Sequence, residues 1–166
     1  MKTIEFELTP GGMASVPITG LCRVVEMQEQ EMLGKTHRFY VLASEDNDYV
    51  VKIPASQIAK MGIRPLLDSE QMEGLLEDPP EVESPKERTP LLIKKWTREL
   101  RSGKPGARRQ VLLELAALRN ARGKLGKREG AFLETVRTNF RHEIEEVLEL
   151  SPSQAGYRLN RAIGMH

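Results

Sequence analysis

Asp78-Pro79-Pro80-Glu81-Val82-Glu83-Ser84-Pro85-Lys86-Glu87-Arg88-Thr89-Pro90 divides the chain. Four prolines in these thirteen residues remove backbone donors and fix φ, so no regular helix or central strand runs through them. The residues before this stretch read as short strands, and those after it read as helices. The segment is therefore expected to be a linker between two modules.

Upstream, apolar runs alternate with turn signals. Residues 3–8 place Ile4, Phe6 and Leu8 on one side, and Thr9-Pro10-Gly11-Gly12 breaks the run. Residues 14–18, 21–27, 37–43 and 49–54 are the further expected strands. Leu33-Gly34-Lys35 is the expected hairpin loop and Glu45-Asp46-Asn47-Asp48 a side-chain-bonded turn. About five short strands in this length predict a small, strongly bent antiparallel barrel with an edge open to a partner strand. Residues 55–61 read as a helical turn ended by Gly62, and 69–77 as a short helix.

Downstream, Thr89-Pro90 starts the first long helix, read over 91–102. Residues 107–122 are the second, stopped by Gly123. Residues 127–150 are the third, with Phe132, Val136, Phe140, Ile144, Val147 and Leu148 at three- and four-residue steps. Ser151-Pro152-Ser153-Gln154 supplies an N-cap, a Pro at N1 and a capping-box Gln for the fourth. The expected fold is α+β in two modules. A small bent antiparallel barrel occupies 1–68, a short helix and acidic Pro-rich linker 69–90, and an all-α bundle of about four helices 91–166.

Length and composition fit a soluble globular protein. The 166 residues hold 39% hydrophobic and 30% charged residues, too apolar for a disordered chain. One cysteine, Cys22, excludes an internal disulfide framework. The first residues alternate rather than forming a signal peptide, and no apolar run approaches membrane-spanning length, so a cytoplasmic protein is expected.

The net charge of +1 conceals an asymmetry. Residues 1–90 hold 9 Lys+Arg and 16 Asp+Glu, whereas 91–166 hold 16 and 8. A basic half has the sign expected of a nucleic-acid partner, although segregated solvated charges give the same count.

No catalytic constellation is visible, and no enzyme, metal or cofactor is expected. His37, His142 and His166 are scattered without ligand spacing. Glu143, Glu145, Glu146 and Glu149 read as a solvated helix face. Trp96, the single tryptophan, is set among Lys94, Lys95, Arg98 and Arg101. On a helix Lys94, Arg98 and Arg101 share one side. Two readings fit: an aromatic wedge ringed by phosphate-binding cations, or a tryptophan packed in the core. Arg108 and Arg109 open the next helix, where the dipole disfavours cations and an external anion would gain. Arg119, Arg122, Lys124, Lys127 and Arg128 form a second basic cluster, partly explained by the helix C-terminus beneath it.

The order of these parts resembles the CarD/CdnL family of bacterial transcription regulators. Their N-terminal module is related to the RNA polymerase interaction domain of transcription-repair coupling factors. The most specific segment is Val50-Val51-Lys52-Ile53-Pro54, continuing to Gly62-Ile63-Arg64-Pro65-Leu66-Leu67. Gly11, Pro17 and Gly20 match the first hairpin, and Lys95-Trp96-Thr97-Arg98 is similar to the family's Trp-Ser-Arg element. Arg122-Gly123-Lys124-Leu125-Gly126-Lys127-Arg128-Glu129 is similar to its Gly-Leu-Ser-x-x-Glu joint. The resemblance implies a Tudor-like barrel that binds the β subunit of RNA polymerase by edge-strand pairing. The family's polymerase-facing arginines fall at Gln30 and Lys52, of which only Lys52 keeps the charge. It further implies a monomer whose helices lie on promoter DNA with weak sequence preference at the upstream edge of the bubble. Trp96 would then be the wedge, and Lys94, Lys95, Arg98, Arg101, Arg108 and Arg109 would hold phosphates. The alternative is an adaptor whose barrel binds a protein and whose helices never touch DNA.

Overall fold

A computed structural model of the protein describes residues 7–45 and 48–165. The expected strand over 3–8 lies mostly outside them, as do Asp46, Asn47 and His166. The described residues form two compact units divided after Leu66, with residues 101–103 counted in the first.

The first unit is an antiparallel sheet of five strands: β1 (Met13–Val16), β2 (Gly20–Met32), β3 (Lys35–Ser44), β4 (Val50–Pro54) and β5 (Arg64–Pro65). Their order is β4-β3-β2-β1-β5. Among the described residues the sheet is open, with β4 and β5 at its edges, where a barrel was expected. Ala14, Cys22, Val24, Leu42, Ile58 and Ile63 are fully buried in its core. Cys22 is a free, buried thiol, and desolvation pushes its pKa up.

The β2–β3 hairpin is longer than the sequence pattern suggests. Pairing continues from Cys22↔Ser44 to Met32↔Lys35, well past the apolar alternation. A two-residue loop closes it, Leu33 at φ 53° and Gly34 at φ 75°, the left-handed pair of a tight hairpin turn. The register shifts between Val24 and Glu26. Val25 is the extra residue, so the second of two adjacent valines projects into solvent.

The second unit contains α1 (Ser69–Leu75), α2 (Thr89–Arg101), α3 (Ala107–Arg122), α4 (Lys127–Leu148) and α5 (Pro152–Ile163). The last three match their sequence signals. Gly123 takes φ 84° after α3, and Ser151 and Gln154 form the capping box of α5. The cap of α1 is Asp68, one residue earlier than Ser69, in a box with Gln71. One core joins Met72 of α1, Leu92 and Trp96 of α2, Leu112, Leu115 and Leu118 of α3, Phe140 and Ile144 of α4, and Leu159 of α5.

Residues 69–90 are not a free tether. Met72 and Leu76 are core residues, and Val82 packs against the same core from the proline-rich stretch. Arg158 forms a forked pair with Glu73, and Arg161 lies 3.5 Å from Asp78. Lys95 reaches Glu87 at 3.8 Å. Three of the acidic residues therefore face the basic helices, and the two oppositely charged stretches belong to one unit. Counted by unit, the first holds 8 Lys+Arg and 8 Asp+Glu, the second 17 and 16.

Trp96 has no exposed surface. Its ring stacks on Phe132 of α4 at 5.8 Å between centroids. The packed reading of this residue is the one the structure presents, because Leu92, Trp96 and Leu100 recur at four-residue steps along the buried side of α2. Its buried Nε1–H has no hydrogen-bond partner among the described residues. Trp96→Ala should lower stability by about 3–5 kcal/mol in urea denaturation. Trp96→Phe should cost far less, since it also removes an unsatisfied donor. An unchanged midpoint for Trp96→Ala would refute the core placement.

Candidate functional site

Two surfaces carry the residues singled out from the sequence. The first is one face of the β2–β3–β4 sheet. Partners across a ladder point to the same side, and alternate residues share a face. Gln30 pairs with His37, Gln28 with Phe39, Phe39 with Pro54, and Val41 with Lys52. Gln30, Phe39 and Lys52 thus lie on the face opposite Tyr40, Leu42 and Ile53 of the core. Lys52 Nζ stands 4.7 Å from the centroid of the Phe39 ring. This diagonal cation–π contact holds the ammonium over the sheet. The register therefore puts Gln30 and Lys52 on one face, with Phe39, which the sequence pattern presents as an ordinary strand residue, on the strand between them. Beside them β4 is an edge, and its first residue, Val50, is 62% exposed.

The second surface is the outer side of α2. Lys94, Arg98 and Arg101 are exposed there, and Leu91 joins them at 56% exposure. None of the three cations has an ion-pair partner among the described residues. Lys95 is exposed too, but a hydrogen bond from its Nζ to Glu114 at 3.1 Å, with Glu87 nearby, raises its pKa and ties it down.

Three expected DNA-contact residues are absent from this surface. Trp96 is inside. Arg108 is buried, 3.4 Å from Glu143. Arg109 donates to the carbonyls of Glu77, Asp78 and Ala162, and burial lowers its pKa. These two arginines open α3 to bind internal acceptors, so no external anion is needed to explain them. Glu143 is likewise no part of a solvated face: it is fully buried and accepts from the backbone N–H of Leu67 at 3.1 Å.

A further carboxylate was not recognised from the sequence. Glu129 is 2% exposed on the first turn of α4. It accepts from Gly126 N at 2.9 Å, Arg122 Nη1 at 2.9 Å and Thr89 Oγ1 at 3.1 Å. The start of α2, the end of α3 and the start of α4 therefore meet on one side chain. Burial alone would raise its pKa, but these donors outweigh burial and the net shift is downward.

With this geometry in view, the comparison with known families is specific. Residues 16–67 match the CarD-like/TRCF RID domain, and this part of the chain belongs to that family. No curated protein matches the chain. An RNA polymerase-interacting domain implies an RNA polymerase partner, and the matched residues include Gln30, Phe39, Lys52 and the β4 edge. Among the described residues no helix is long and apolar enough to cross a membrane.

The lowered pKa of Glu129 sets a pH dependence with a definite sign. Its contribution is complete above the ordinary carboxylate range, near pH 4.3, and is lost as pH falls through the lower folded value. Glu129→Gln should cost about 2 kcal/mol at pH 7, the scale of hydrogen bonds to a charged group. The gap should narrow by pH 3. A gap independent of pH, read from urea midpoints, would remove Glu129's charge from the argument.

Proposed function

We propose that this protein is a transcription regulator that binds the β subunit of bacterial RNA polymerase and stabilises the open promoter complex. The observation that carries the reading is the polymerase-interacting-domain match lying over an open β4 edge beside Lys52 and Phe39. An edge strand offers unpaired backbone groups to an incoming strand. Lys52, steadied over Phe39, supplies a cation and an apolar surface at that edge, and Gln30 supplies a neutral hydrogen-bonding group. Lys makes no bidentate carboxylate fork, so the contact is more tolerant of geometry than one made by Arg.

The helical unit lies on promoter DNA at the upstream edge of the bubble in this reading. Lys94, Arg98 and Arg101 neutralise phosphates along α2. Leu91 takes the apolar role first assigned to Trp96, since a leucine can wedge at an unstacked step while Trp96 cannot without leaving the core. Contacts made better to opened than to closed DNA shift the equilibrium toward the open state, and ~1.4 kcal/mol shifts it tenfold. The protein acts as a monomer, in the cytoplasm and on the nucleoid through polymerase, and is not an enzyme.

An adaptor without DNA contact is the second reading. It is favoured by the internal use of Trp96, Arg108 and Arg109, which removes three of seven expected DNA contacts.

Open-complex lifetime on a promoter fragment separates them. The wild-type protein should lengthen it, and Lys94→Ala/Arg98→Ala/Arg101→Ala should abolish the gain while still binding polymerase. Lys52→Glu should weaken polymerase binding by roughly tenfold, a ~1.4 kcal/mol contact, and leave binding to isolated DNA unchanged. A folded wild-type protein that binds polymerase without altering lifetime would favour the adaptor. Equal polymerase affinity for Lys52→Glu would take Lys52 out of the interface.

A further inference from the structure

Helices α2 and α3 and the proline-rich stretch wall a cleft of about 430 Å³. Lys95, Trp96 and Glu99 line it from α2, Gln110 and Glu114 from α3, and Glu83 from the stretch before α2. Glu99 follows Lys95 by four residues and Glu114 follows Gln110 by four, so each pair lines one flank of its helix. Trp96, with no exposed surface, is the floor.

The sign of this cleft is opposite to that of the outer side of α2. Three carboxylates against one ammonium leave an excess of two negative charges in the lining. The ammonium is already committed, since Lys95 Nζ donates to Glu114 at 3.1 Å and lies 3.8 Å from Glu87. Gln110 Nε2 approaches the other Glu114 oxygen at 3.5 Å. Glu83 is exposed and has no hydrogen bond or ion pair among the described residues. A phosphate backbone would be repelled here, so the cleft has no part in holding DNA.

A second feature is independent of charge. The buried Nε1–H of Trp96 has no acceptor among the described residues. Four of the lining side chains carry acceptor oxygens, those of Glu83, Glu99, Gln110 and Glu114, yet none takes the indole hydrogen. Buried donors left this way are rare in folded chains. An occupant that suits the cleft brings an acceptor to its floor and a cation to its rim. A metal ion or a polyamine brings no acceptor, and the described carboxylates form no metal-holding group. A free amino acid brings a carboxylate, which the wall repels. A peptide brings a neutral carbonyl close to a cationic side chain. We infer that this cleft is a docking site for a basic segment of a protein partner, whose backbone carbonyl accepts from Trp96 Nε1–H while its Lys or Arg side chain pairs with Glu83 and Glu99. The inference is separate from the DNA reading, because it uses none of Lys94, Arg98 and Arg101.

The single tryptophan supplies the test. The isotopically labelled full chain gives one indole N–H cross-peak in a nitrogen–proton correlation spectrum. A capped alanine pentapeptide carrying two arginines should move that peak saturably, whereas the capped all-alanine pentapeptide and spermidine should not. With a fluorescent form of the arginine peptide read by anisotropy, Glu83→Gln/Glu99→Gln should weaken binding roughly tenfold, and Glu83→Gln alone, at an exposed position, about threefold. Trp96→Phe keeps the core filled and removes the donor, so it should weaken binding about fivefold. An indole peak unmoved by millimolar arginine peptide would mean that only water meets the Nε1–H, and would overturn the site. An equal shift from the all-alanine peptide or from spermidine would overturn the assignment to a basic segment. Unchanged affinity in the glutamate and tryptophan variants would put the peptide elsewhere on the protein and likewise overturn it.

Discussion

Glu143 lies about three-quarters of the way along α4 with no exposed surface, where a charge needs partners. Arg108 approaches one carboxylate oxygen from the first turn of α3, and the backbone N–H of Leu67 donates to the other. A carboxylate buried without partners costs several kcal/mol, so this contact constrains the chain path more than it adds net stability. It sets the chain entering α1 against α4 and fixes the first turn of α3 there. Glu129, fourteen residues earlier on α4, does the same for α2, α3 and the helix's own start. Two carboxylates on one long helix thus hold the chain entering α1, the start of α2 and both ends of α3. Trp96 stacks on Phe132, and that packing leaves Leu91, Lys94, Arg98 and Arg101 on the outside of α2.

The same constraints redistribute the charge. The acidic residues of 69–90 look, as a string, like the tail of an acidic half. Folded, Glu73, Asp78 and Glu87 among them face Arg158, Arg161 and Lys95. Exposed pairs of this kind contribute little to stability. Their consequence is subtractive: they occupy cations that would otherwise belong to a diffuse basic surface. From α2 onward, the described cations that keep no partner lie on α2 and at the α3–α4 joint, with Lys86 and Arg88 exposed just before them.

Much of this architecture was legible. Gly123, Ser151 and Gln154 act locally, through φ and short side-chain bonds, so the bounds of α3 and the start of α5 follow from sequence. The hairpin was only partly legible, because beyond Met27 its residues are polar on both faces and are held by the ladder and the Leu33-Gly34 turn. The two-residue β5 carries no periodicity at all. Among site residues, Gln30 and Lys52 were found through family spacing, whereas Phe39 between them needed the cross-strand register. The buried charges carry a signal of their own in the sequence. Arg108 stands three and seven residues before the buried Val111 and Leu115. Glu143 stands seven and three after Val136 and Phe140, and Glu129 seven before Val136. Each occupies the apolar stripe of its helix, where a charge must find partners inside.

That pattern also explains why tryptophan misled. A lone aromatic among cations satisfies the description of a wedge and of a core residue equally, and the neighbours in sequence are the same in both cases. The phase of the helix separates them. Leu92 and Leu100 stand four residues to either side of Trp96, so the indole must share their face, and the cations at 94, 98 and 101 must point away from it. Leu91 is one residue out of that phase and is exposed for that reason. An apolar side chain left among unpaired cations has no partner within its own helix. The helix phase that removes Trp96 from the surface thus leaves Leu91 on it, among the cations of α2.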